Sequence, residues 1–112
     1  MIKHFIDIDD FSLKELDLIF SMSQKLKKNN SRYQKLFNNK SLGLMFQKES
    51  TRTRLSFSIG MQKFGGNVIE LDSKAIGFGK RESEEDTLRT LSCYIDCLMI
   101  RKNNHKKIKY YA

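Results

Sequence analysis

Residues 41–71 constrain the fold more than any other part of the chain. Ser41-Leu42-Gly43-Leu44-Met45-Phe46 is an apolar run of strand length, and the polar stretch Gln47-Lys48-Glu49-Ser50-Thr51-Arg52-Thr53-Arg54 follows it. Leu55, Phe57, Ile59, Met61 and Phe64 then supply apolar positions, and Gly65-Gly66 stops the element. Asn67-Val68-Ile69-Glu70-Leu71 is a second short apolar run. The pattern predicts a strand from about Leu42 to Gln47, a turn, a helix from Thr51 to about Phe64, and a second strand. Strand, helix and strand in this order form a right-handed parallel crossover.

The turn carries the chemistry. A helix N-terminus exposes unpaired backbone N–H groups and a partial positive charge, which suits an anion. Ser50 or Thr51 is placed to cap this helix, and Arg52 adds a planar fork of donors matched to phosphate. Ser50, Thr51, Arg52 and Thr53 therefore read as a phosphate cradle. The same residues also fit a plain capped helix with surface arginines, and the turn alone leaves both readings open.

The flanks add elements. Ser12-Leu13-Lys14-Glu15 has the form of a capping box. It opens a helix to about Lys27 or Lys28, with Leu13, Leu16, Phe20 and Ile19 against Lys14, Asp17 and Gln24. Asn29-Asn30-Ser31 ends it, and the polar segment 32–40, anchored by Tyr33, Leu36 and Phe37, is a short helix or packed loop. Residues 72–83 form a loop with Gly77 and Gly79, long enough to be functional. Ser83 caps a further helix whose acidic first turn suits the helix dipole, with Leu88, Leu91 and Ile95 packing inward. Cys97-Leu98-Met99-Ile100 reads as a third, buried strand ending at Arg101, and Asn104 as the cap of a last helix. Three strands with helices between them give an α/β fold: a parallel sheet with flanking helices, doubly wound and three-layered. Ligands in such sheets sit beyond the carboxyl ends of the strands. The cradle, the 77–82 loop and Arg101 all follow strand ends, which favours an anion site over the plain-helix reading.

Charge points the same way. The 112 residues carry 21 Lys and Arg against 13 Asp and Glu, a net charge of +8. This suits phosphorylated metabolites, nucleic acid or a membrane surface. Arg101, Lys102, Lys106, Lys107 and Lys109 crowd a tail without acids, read as a solvated helix face. No window approaches a membrane span, and the N-terminus lacks a signal-peptide pattern, so a cytoplasmic protein is expected. Cys93 and Cys97 lack further metal ligands and read as plain buried thiols. Gly77-Phe78-Gly79 is no dinucleotide fingerprint, because Glu82 stands at the third glycine position, and no Gly-Lys-Ser/Thr P-loop is present.

The sequence resembles the N-terminal, carbamoyl-phosphate-binding domain of the ornithine/aspartate carbamoyltransferase family over nearly its whole length. The resemblance is carried by Phe46-Gln47-Lys48-Glu49-Ser50-Thr51-Arg52-Thr53-Arg54-Leu55-Ser56-Phe57 and Gly65-Gly66-Asn67-Val68-Ile69. Glu82-Ser83, Asp86-Thr87, Leu91-Ser92-Cys93-Tyr94-Ile95-Asp96 and Met99-Ile100-Arg101 extend it. It implies transfer of a carbamoyl group from carbamoyl phosphate to an amino-acid amine, in arginine biosynthesis for the ornithine type, with no cofactor, no metal and no covalent enzyme intermediate. It also implies that Ser50, Thr51, Arg52 and Thr53 hold the phosphate. Thr53 and Arg101 would reach the carbonyl oxygen as the catalytic pair, and Arg101 would bridge to the phosphate. Lys80 lies in a loop resembling one that reaches a neighbouring subunit's site, so a trimer is implied. Arg54 is expected to tie the helix to its surroundings.

The departures refine this. Gly77 stands where ornithine-type members often have glutamine, and Lys80 falls where aspartate-type members carry lysine. Phe46-Gln47-Lys48 looks like the ornithine type, so ornithine or an acetylated relative is favoured as acceptor. Family members continue with a His-Pro-x-Gln segment and a second, amino-acid-binding domain, both absent from residues 1–112. The sheet is expected to be incomplete at its C-terminal end, with an uncovered edge and exposed apolar helix faces. A truncated chain is expected to bind carbamoyl phosphate or phosphate without turnover, and to meet an amino-acid acceptor only if the second domain is supplied. Two other readings are a partial protomer or regulatory module joining full-length subunits, and nucleic-acid binding through the basic tail. The second lacks a stacking platform or reader motif.

Overall fold

The computed structural model describes residues 4–112; the N-terminal reading made on residues 1–3 lies outside the described residues. Three parallel strands form one sheet in the order β2-β1-β3: β1 (Ser41–Phe46), β2 (Asn67–Leu71) and β3 (Cys97–Arg101). Four α-helices accompany them: α1 (Leu13–Lys28), α2 (Arg52–Lys63), α3 (Glu84–Ser92) and α4 (His105–Tyr111). The chain moves from β1 out to β2 through α2, then back across β1 to β3 through α3. Right-handed crossovers in opposite directions put α2 and α3 on opposite faces, the doubly wound arrangement expected from the sequence.

Local signals explain the elements. The Ser12–Glu15 capping box of α1 forms as expected, with Ser12 Oγ accepting from the Glu15 N–H and the Glu15 carboxylate from the Ser12 N–H. Ser83 Oγ accepts from the Asp86 N–H, and Asn104 Oδ1 from the Lys106 N–H. Gly65 ends α2 at φ +84°, where a side chain would also collide with the Gln34 carbonyl. Residues 30–39 are a run of turns, joined to the end of α2 by a Phe37 N–H to Phe64 O hydrogen bond of 2.8 Å.

The core is the central strand. Leu42, Leu44 and Met45 are buried, Leu44 at 1% exposure, because β1 has a strand on each side and helices over its faces. Here two expectations fail. β3 is an edge strand and only half-buried, not a buried one, and Cys93 and Cys97 are exposed free thiols. β3 has a neighbouring strand on only one side, which leaves Cys97 open at its start, whereas Cys93 lies at the C-terminal end of α3. The apolar face of α1 also stays open, with Leu13 and Phe20 exposed. Among the described residues, no helix is long and apolar enough to cross a membrane.

Candidate anion-binding site

The parallel ladder places all three strand ends on one rim, Phe46 opposite Arg101 and Met45 opposite Leu71. The strand order reverses at β1, so the crevice between β1 and β3 is the switch point where such sheets bind ligands. Residues 47–53 leave β1 on one side of this crevice, and Arg101 ends β3 on the other. Loop 72–83 leaves β2 on the same rim and carries Lys80.

The expected hydroxyl cap is absent. Thr51 occupies the N-cap position of α2 with helical backbone angles (φ −86°, ψ −53°), and neither Ser50 nor Thr51 makes a side-chain cap bond. A cap needs an extended backbone to aim its oxygen back at the first turn. Without it, the N–H groups of Arg52, Thr53 and Arg54 have no acceptor among the described residues; the ladder begins with Leu55 N–H to Thr51 O. The mouth of α2 thus keeps its donors and its positive end of the dipole for a ligand. Ser50 and Thr53 are half-buried, whereas Thr51 and Arg52 are exposed. Arg52 has no ion-pair partner among the described residues, and neither do Arg101 and Lys80. Arg54 behaves as expected of a structural residue: its guanidinium lies 5.0 Å from the centre of the Phe46 ring and 3.4 Å from Glu70.

The Lys80 loop is a folded series of turns with glycines at positive φ (Gly77 +66°, Gly79 +74°). Phe78 anchors it, its ring 5.9 Å from that of Tyr111 and 5.1 Å from Lys102 Nζ. The structure therefore brings Ser50–Thr53 and Arg101 to the two sides of one crevice and holds Lys80 on a separate loop of the rim.

Several residues given no role by the sequence shape this rim. Gln47 N–H donates to Arg101 O at 2.9 Å, and Gln47 Oε1 accepts from Asn103 N–H at 2.9 Å. Lys102, read as part of a solvated tail, is instead drawn in at 12% side-chain exposure, 2.6 Å from Tyr111 Oη and 3.3 Å from Glu84. Two shallow concavities elsewhere contain none of the candidate residues. One, of about 340 Å³, lies between α3 and α4 and includes Glu85, Arg89 and Tyr110; the other lies beside Gln34 and Gln62.

Comparison with known proteins matches this geometry to a family. A sequence model described as "Aspartate/ornithine carbamoyltransferase, carbamoyl-P binding domain" matches residues 3–112. The chain is similar to the ornithine carbamoyltransferase of Methylococcus capsulatus, with 38% identity over 110 residues, covering 98% of this chain and 37% of that protein. Among solved structures it is similar to the anabolic ornithine carbamoyltransferase of Campylobacter jejuni (TM-score 0.88, 32% identity, 99% of this chain and 36% of that one). It is also similar to the catalytic subunit of M. jannaschii aspartate transcarbamoylase (TM-score 0.85, 34% identity, 98% and 37%). The chain spans little more than a third of the length of these relatives.

Proposed function

This chain belongs to the aspartate/ornithine carbamoyltransferase family through its carbamoyl-phosphate-binding domain, and we propose that it supplies the carbamoyl phosphate half of a carbamoyl transfer to an amino-acid amine. In this reading residues 1–112 form that domain, and the acceptor site lies outside them. The amine nitrogen attacks the carbonyl carbon, a C–N bond forms, the C–O bond to phosphate breaks, and phosphate leaves with the electron pair and takes up the proton that the attacking nitrogen gives up. Such a site works by orienting the reactants and stabilising developing charge. The open N–H groups of α2, with Ser50, Thr51, Arg52 and Thr53, hold the phosphate. Thr53 and Arg101 address the carbonyl oxygen from opposite sides of the crevice, and Lys80 serves a neighbouring protomer's site.

The observation that carries this reading is the uncapped mouth of α2 at the β1/β3 switch point. Ornithine or an acetylated relative is the proposed acceptor, which places the reaction in arginine biosynthesis; a homotrimer follows from the proposed reach of Lys80. A cytoplasmic setting suits two exposed free thiols, which persist where the medium is reducing. Neither alternative reading is favoured. Lys102 and Lys107 are engaged by Glu84, and Lys109 by Asp7, so much of the basic tail is already neutralised.

Titration of the 112-residue chain with carbamoyl phosphate, followed by phosphorus NMR, tests the assignment. Saturable binding that weakens at least tenfold in Thr53→Val or Arg101→Ala is expected; no saturation by a folded chain contradicts it. Adding ornithine or aspartate should yield no citrulline or carbamoyl-aspartate. Formation of either product would place the acceptor site within these residues.

A further inference from the structure

We propose that Gln47 is a positioning residue that fixes Arg101 relative to the phosphate cradle, a role that rests on the function assigned above. The ladder between β1 and β3 ends with the Phe46–Arg101 pair. Gln47, the next residue, extends it by one bond, its N–H donating to Arg101 O at 2.9 Å. Its side chain then turns to the same partner segment, Oε1 accepting the Asn103 N–H at 2.9 Å. One residue thus grips the chain on both sides of Lys102, and Arg101 cannot slide along β1 without breaking both bonds.

The grip matters because of what it joins. Gln47 begins the loop that delivers Ser50–Thr53 to the mouth of α2, and its partner segment carries Arg101. The two sides of the crevice are therefore bonded to each other at the start of the loop that leads to the cradle. Reacting groups displaced by about 1 Å lose much of their effect, and a long arginine on a fraying edge strand would suffer such displacement. A second strut supports the same strand end: Lys102 Nζ lies 2.6 Å from Tyr111 Oη and 3.3 Å from both Glu84 carboxylate oxygens.

The test compares Gln47→Leu, which keeps size but loses the acceptor, with Gln47→Glu, which keeps an acceptor. The readouts are inorganic phosphate affinity and amide exchange at Asn103, both by NMR on the full chain, with thermal unfolding in phosphate-free buffer as a control. Gln47→Leu should bind phosphate about tenfold more weakly and exchange the Asn103 proton at least tenfold faster, with its Tm within a few degrees of the parent. Gln47→Glu should restore both. In an Arg101→Ala background, Gln47→Leu should cost nothing more, because it acts through Arg101. Parent-like phosphate binding by Gln47→Leu, equal losses in both variants, or additive losses with Arg101→Ala would overturn the proposal. If the parent binds no phosphate at all, the assigned function fails, and the Asn103 exchange alone decides the grip: exchange unchanged in Gln47→Leu refutes it.

Discussion

Arg52 and Arg54 are neighbours on α2 with opposite surroundings. Arg54 lies over the Phe46 ring and beside Glu70, while Arg52 stands in solvent at the helix mouth. An exposed cation–π contact contributes about 0.5–1 kcal/mol and a surface ion pair about 0–1 kcal/mol. Arg54→Ala should therefore lower stability by about 1 kcal/mol in urea titration while leaving phosphate binding at Arg52 largely intact. An unchanged midpoint would mean that Arg54 is not the tie between α2 and the sheet. That Arg54 ties the helix to its surroundings was expected from the family resemblance, not from local pattern, since both arginines lie in the first turn of α2. The missing cap was not legible in the sequence, because capping depends on the backbone angles of Thr51, and serine and threonine fit either outcome. The exposure of Cys93 and Cys97 was equally hidden: Cys97 opens an edge strand and Cys93 caps the C-terminal end of α3, and neither placement is set by the residues beside it in sequence.

At the scale of elements, β1 is held at both ends. Gln47 secures its carboxyl end, and Asp96 its start: the Ser41 N–H donates to Asp96 Oδ2 at 2.8 Å, the Asp96 N–H to Ser41 O at 3.0 Å, and Lys40 lies 3.4 Å from Oδ1. The Ser41 N–H, with Lys40 adding to it, holds the Asp96 carboxyl below its ordinary value. A carboxylate with a lowered folded pKa binds protons more weakly in the native state than in the unfolded state. Its stabilisation is therefore present above the ordinary pKa of 3.8 and is lost as pH falls through the lowered folded value. Asp96→Asn should lower the Tm at pH 7 and flatten the acid limb of the Tm–pH curve below about pH 4. An unaltered acid limb would contradict this role. The elements themselves were legible: strand β2, the caps of α1, α3 and α4, and the glycine stop after α2 all follow local rules. The open face of α1 is different in kind, since amphipathic spacing marks an apolar face without saying what covers it.

The whole molecule is a small sheet with one buried strand. Its radius of gyration is 15.1 Å, against about 13 Å for a compact domain of this length. The fully buried Leu44 concentrates much of the core in one side chain. Leu44→Ala should cost about 3 kcal/mol, a large part of a small domain's stability, and lower the Tm by on the order of 10 °C. A change of only a degree or two would place the core elsewhere. The net charge of +8 and the cationic groups on the rim that have no ion-pair partner among the described residues, Arg52, Arg101 and Lys80 among them, converge on an anion, so the most direct measurement is thermal unfolding with and without phosphate and carbamoyl phosphate, for the parent and Arg52→Ala. A ligand that binds only the folded state raises the Tm by mass action. The parent should gain several degrees at saturating carbamoyl phosphate, and Arg52→Ala should start from a similar Tm and gain nothing. A cooperative transition unmoved by either ligand, or an equal shift in the variant, would contradict the cradle at the mouth of α2.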